Sequence, residues 1–162
     1  MDSNNKIAKI IKITAAIFVI IFIVLLAYTY TNQNSSKRII KKLQKNGYEE
    51  GAKDIFIKTS KEDYKEYSYT YNIKLEEFSK TTSVNDENEM QTTISTINKN
   101  NNIIISYIYR TTGCSLNQEA TYTNKKEFTC NVTQKKGSCK AKCNLLLEEA
   151  KDMVKEKNKL LK

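Results

Sequence analysis

The chain has 162 residues, a formal charge of +9, four Cys, and no His, Pro or Trp, which suits one modest domain. Without His it has no imidazole base, no His-ligated metal and no Ser-His or Cys-His nucleophile pair. Neither a GxGxxG nor a GxxxxGK[ST] motif occurs, and Gly47, Gly51, Gly113 and Gly137 are too scattered to cradle a phosphate.

The first element is apolar. Residues 13–30 carry no charge over 18 positions, and at about 1.5 Å per residue they make a rod about 27 Å long, near the hydrocarbon thickness of a bilayer. Tyr28 and Tyr30 fall at the exit and Lys12 at the entrance, where amphipathic side chains suit the interface. No later segment is apolar enough to enclose a helix that is apolar all round. The expected arrangement is a short cytoplasmic tail, 1–12, and a transmembrane anchor, 13–30. Lys6, Lys9, Lys12 and the apolar run would also serve a signal peptide. However, Ala27-Tyr28-Thr29 is a poor cleavage site and the run is long for one, so an uncleaved signal anchor is expected.

A polar spacer, 31–36, follows. Ser35 or Ser36 then caps an expected basic juxtamembrane helix over 37–45, with Ile39, Ile40 and Leu43 at helical spacing and Asn46-Gly47 as its stop. Its five cations suit anionic headgroups or, equally, a solvated stalk. The folded domain is expected over 47–162. After Ile55, Phe56 and Ile57, the residues Tyr67, Tyr69, Tyr71, Ile73 and Leu75 alternate with polar ones and predict a strand over 67–76. Its Tyr ladder reads as the core-facing side of a sheet rather than as a stacking platform for sugars or bases.

Further strands are expected at 78–84, 90–97, 102–110, 118–123 and 126–133, separated by Asn-, Asp- and Gly-containing turns. Ile103, Ile104, Ile105, Tyr107 and Ile108 load both faces of one of them, which predicts a central strand. The short spacings leave no room for crossover helices, so the sheet is an antiparallel meander. A final amphipathic helix is predicted over 138–161. Leu146, Ala150, Met153 and Leu160 lie on one side, and Lys140, Lys142, Lys151, Lys155, Lys157 and Lys159 mostly on the other. The predicted fold class is therefore α+β: an N-terminal transmembrane helix, then an antiparallel β-meander sheet packed by a C-terminal amphipathic helix.

The four Cys are Cys114, Cys130, Cys139 and Cys143. One C-x3-C pair without His is a poor zinc site, and no redox CxxC is present. Two disulfides fit best. Cys139 and Cys143 on one helix would lie alongside each other rather than converge. A hairpin at Asn124-Lys125, with Thr123 facing Lys126, places Asn117 beside Val132 and turns Cys130 inward with Phe128 and Val132. Cys130 then meets Cys143 at matched height as the helix folds back, leaving Cys114 for Cys139. Disulfides persist in oxidising compartments. Counting positive flanks favours a cytoplasmic C-terminus instead, because Lys37, Arg38, Lys41, Lys42 and Lys45 follow the span. The cysteines carry more weight, and the expected location is the cell membrane, single-pass, with the C-terminal domain outside.

Catalysis would need carboxylates, such as Glu76-Glu77 or Glu148-Glu149, but neighbouring residues point to different sides and read as solvated surface charge. The chain is thus expected to be no enzyme and to need no cofactor or metal. Its stretch 46–98 is acidic and 99–162 basic, yet no RNP, zinc-finger or helix-turn-helix pattern supports nucleic acid as a partner. Expected partners are the lipid bilayer and either anionic surface polymers or another membrane protein. The expected function is a membrane-anchored extracytoplasmic binding or scaffolding domain. A secreted disulfide-stapled protein and a membrane-bound regulatory subunit are the alternatives. The apolar helix, sheet and late Cys superficially resemble a type IV pilin, but no Gly-Phe-like processing site precedes the run and no Glu stands early within it. No family is assigned on that likeness.

Overall fold

The computed structural model describes residues 3–161. The chain divides after Ile40 into two compact units. The first is most of helix α1, Ser3–Lys45. The apolar side chains from Ile17 to Leu26 are 51–69% exposed, so α1 is long and apolar enough to cross a membrane and is not buried as a core helix. The expected spacer at 31–36 is helical instead, with Ser35 and Ser36 inside α1 rather than capping a second helix. The stretch holds no Gly or Pro. Where it begins, the Thr29 hydroxyl donates to the Leu26 carbonyl and that of Thr31, the first residue of the stretch, to the Ala27 and Tyr28 carbonyls, all at 2.9 Å, so these side chains satisfy themselves within the helix.

The helix stops at Asn46-Gly47. Tyr48 N–H donates to the Leu43 carbonyl and Gly47 N–H to that of Gln44, both at 3.0 Å, while Gly47 takes a φ of 79°. This is a Schellman cap, and its apolar contact is present in the buried Leu43 and Tyr48.

The second unit is an eight-stranded antiparallel sheet in the order β1-β2-β3-β4-β5-β6-β7-β8, covered on one face by helix α2. The strands are β1 Glu49–Ala52, β2 Ile55–Glu62, β3 Lys65–Asn72, β4 Glu77–Asp86, β5 Glu89–Ile97, β6 Ile103–Thr111, β7 Cys114–Tyr122 and β8 Phe128–Gly137, and α2 is Cys143–Leu161. The α+β meander predicted from the sequence is the observed architecture.

Register puts one set of side chains toward α2. Phe56, Tyr71, Phe78, Ile97 and Ile103 are cross-strand neighbours in one row, and all are at most 2% exposed. Lys58, Tyr69, Lys80, Ser95, Ile105, Ala120 and Cys130 form the next row. The opposite face is open. Its rows run Ile57, Thr70, Ser79, Thr96, Ile104, Thr121, Thr129 and Thr59, Ser68, Thr81, Ile94, Ser106, Glu119, Asn131. Ile104 is 63% exposed, so β6 has a strand on either side but is not buried on both faces.

Three further expectations need correction. The strand predicted over 67–76 ends at Asn72, where the Asn72 side-chain carbonyl accepts from Leu75 N–H at 3.0 Å. Glu76 enters the left-handed region at φ 52°, and Leu75 is exposed. The β7–β8 hairpin is one residue out of the expected register. Tyr122 faces Phe128 and Gln118 faces Val132, and a bulge then sets Asn117 against Gln134. Helix α2 starts at Cys143 rather than at 138. It buries Leu146, Ala150, Met153, Lys157 and Leu160, the large apolar ones contributing about 1.5–3 kcal/mol each. Lys157 belongs to that face because its ammonium donates to the Asn98 carbonyl at 2.6 Å, which satisfies the charge at the sheet end.

Candidate functional site

Two disulfides join the sheet to the start of α2. Cys114 bonds Cys139, with Cα atoms 5.5 Å apart, and Cys130 bonds Cys143 at 5.8 Å, both ordinary separations. Cys130 shares the covered face with Ala120, its partner on β7. Between the staples lies Gln118, 1% exposed. Its side-chain carbonyl accepts from Lys142 N–H at 2.7 Å, and its amide lies 3.4 Å from the Cys130 sulfur and 3.5 Å from that of Cys143. A backbone donor ahead of the helix is thereby satisfied in a buried place. The only sequence signal for Gln118 is its parity with Leu116 and Ala120 on β7, which sets a polar residue on the core side.

The adjacent carboxylates do diverge, but one of them is not solvated. Glu148 pairs with Lys151 at the exposed face of α2. Glu149 turns inward to Lys80, 3.5 Å away, and accepts from the Ser95 hydroxyl at 3.2 Å. Glu156, two turns on, stands 3.3 Å from Lys80. Lys80 is 9% exposed. Burial alone would push its ammonium pKa down, but the Glu149 and Glu156 carboxylates outweigh that and hold it above the usual value. The second Glu156 oxygen is buried without a hydrogen-bond partner. Glu76 lies in the β3–β4 turn and Glu77 opens β4.

Beside this cluster is a groove of about 330 Å³, walled chiefly by Tyr48, Lys58, Tyr69, Phe78, Glu156 and Leu160. Lys58 is fixed there by a 2.9 Å bond to the Asn46 carbonyl. Burial, then Tyr69 and Glu156, raise the Tyr48 phenol pKa well above its ordinary value. Tyr69 stacks with Tyr67 and Phe78 at ring centroid distances of 6.4 and 6.3 Å. The Tyr ladder is therefore divided: Tyr71 is core at 1% exposure, whereas Tyr69 walls the groove. The groove offers an aromatic wall, cations and one carboxylate, which together suit non-covalent contact with a polar ligand.

Comparison with protein-family models, with curated proteins and with solved structures gives no match to this chain.

Proposed function

We propose that the protein is a single-pass, membrane-anchored extracytoplasmic domain that binds a partner without chemically altering it. The carrying observation is the pair of disulfides, one tying β7 to the segment that leads into α2 and the other tying β8 to the first residue of α2, in a chain with an exposed apolar helix. Such staples stabilise a small domain by about 2–4 kcal/mol each and persist where the compartment is oxidising. Retention of the anchor is favoured by Ala27-Tyr28-Thr29, which is a poor match to a cleavage site. The partner class that suits the basic C-terminal half is an anionic surface polymer or an acidic patch of another membrane protein.

A reporter fused after Lys162 tests the placement: activity only outside the membrane supports it, and activity in the cytoplasm sinks it. Full-length mass in the membrane fraction is expected. A soluble product starting between Tyr28 and Lys37 would move the reading to a secreted protein.

A further inference from the structure

We infer that the groove walled by Tyr69, Lys58, Lys159 and Glu156 is the subsite for one acidic sugar unit, a uronate, of the anionic surface polymer proposed above as a partner. The inference rests on that reading and adds to it the site and the chemistry of the ligand. The groove lies wholly within the second unit, between β2–β4 and the end of α2. Its volume of about 330 Å³ is at the small end for ligand sites, ~300–1,000 Å³. That suits a sugar ring with its substituents and not a folded partner.

Three kinds of group meet there. The first is a held aromatic wall. The half-buried Tyr69 ring lies within 13° of parallel to Tyr67 and within 14° of parallel to Phe78. Its neighbours fix it, so stacking the C–H face of a pyranose on it costs little further side-chain entropy. The second is positive charge. Lys58 and Lys159 line the groove, and Lys80 stands between Glu149 and Glu156, so three ammonium groups answer two carboxylates. An anion is therefore favoured here, although β1–β5 come from the acidic stretch of the chain. A quaternary ammonium, which aromatic rings alone would suit, is disfavoured. Lys58 already takes that role, 6.0 Å from the Tyr48 ring centroid. The third is unspent hydrogen-bonding capacity. The second Glu156 oxygen is buried without a partner, and a turn about the soft terminal torsion of its side chain presents it to the groove. A ligand hydroxyl then supplies the missing donor. Inorganic phosphate has no face to stack, and a neutral sugar leaves the ammonium groups unanswered. A uronate offers a stacking face, hydroxyls that donate and accept, and a carboxylate for Lys58 and Lys159.

Isothermal titration of the full oxidised chain in a nonionic detergent, at about 0.15 M salt, tests this. The probe is trigalacturonate, and maltotriose, with rings and hydroxyls but no carboxylate, is its neutral counterpart. Trigalacturonate is expected to bind with a Kd below ~1 mM and maltotriose about tenfold more weakly or worse. Lys159→Glu, at an exposed position, should weaken trigalacturonate about tenfold or more with circular dichroism unchanged. Lys151→Glu makes the same change of charge on the outer side of α2 and should leave binding as it is. No binding of trigalacturonate up to about 10 mM, equal affinity for maltotriose, indifference to Lys159→Glu, or an equal loss in Lys151→Glu overturns the inference. Should Lys159→Glu misfold, Ser60→Phe, which fills the groove from an exposed position on β2, replaces it with the same expected loss. The parent reading fails separately. Polygalacturonate that binds wild type and Lys159→Glu alike keeps the anionic polymer as partner and removes the groove as its site. A cytoplasmic reporter removes the placement and leaves trigalacturonate binding to support the subsite.

Discussion

Lys80 on β4 stands between Glu149 and Glu156 of α2, and each side chain's charge is tolerable only while the others are present. Replacing Lys80 by Met would leave two carboxylates facing an apolar side chain. The expected cost is about 2–3 kcal/mol, below the range for a sealed pair because Glu156 is partly exposed. The triple variant Lys80→Met/Glu149→Gln/Glu156→Gln should recover most of that loss. Urea unfolding measures both, and a neutral Lys80→Met would refute the cluster's structural role. Alkaline pH probes the same core. Burial raises the phenol pKa of Tyr107 to about 12, and burial also raises those of Tyr48 and Tyr71. Groups with raised folded pKa values contribute stability that is complete below the unfolded value, near 10, and is lost as pH climbs toward the folded one. Lys80 acts in the same sense, above about pH 10.4. Lys157 acts oppositely: burial lowers its pKa, so its cost fades as pH rises through that value. Stability should therefore fall steeply above pH 10, and Tyr107→Phe should remove about 2 kcal/mol of that loss by pH 12. An unchanged slope for Tyr107→Phe would contradict the assignment.

At the scale of elements, two glycines in the left-handed region separate strain from collision. Gly47 has φ 79° and only the far end of Lys58 nearby, at 3.9 Å. Gly47→Ala should cost about 1 kcal/mol through backbone strain. Gly137 has φ 73°, and an added Cβ would strike the Gly113 carbonyl oxygen and come within 3.1 Å of Cys114. Gly137→Ala should cost at least about 2 kcal/mol. Equal thermal shifts would show that the end of β8 can move. The sequence was readable where period and punctuation agree, as in the alternation at Tyr67–Tyr69–Tyr71 and the helical spacing of Leu146, Ala150, Met153 and Leu160. It was silent on β1 and β2 because their turns rely on Asp54 and Asp63, at φ 64° and 49°, rather than on Gly. It misled at 31–36, where polar composition resembles a linker although nothing there forbids a helix. Lys80 and Gln118 were missed because a polar residue at core parity is interpretable only once its partner from α2 is in place.

Across the whole molecule, the meander turns charge order along the chain into charge order across the sheet. The acidic stretch forms β1–β5 and the basic stretch β6–β8, since strand order follows sequence order. The basic side is also the stapled side, where Cys114–Cys139 ties β7 to the segment before α2 and Cys130–Cys143 ties β8 to α2 itself. Removing Cys130 should destabilise the domain by about 2–4 kcal/mol and leave Cys143 alkylatable. The central claim is an anchored domain held by two disulfides outside the cytoplasm. Its most direct test is thiol trapping in intact cells, with acid quenching and alkylation before any lysis, followed by non-reduced peptide mapping. The account predicts full-length protein in the membrane fraction, no alkylated cysteine, and peptides linked 114 to 139 and 130 to 143. Four alkylated cysteines in the same membrane-bound chain would contradict it.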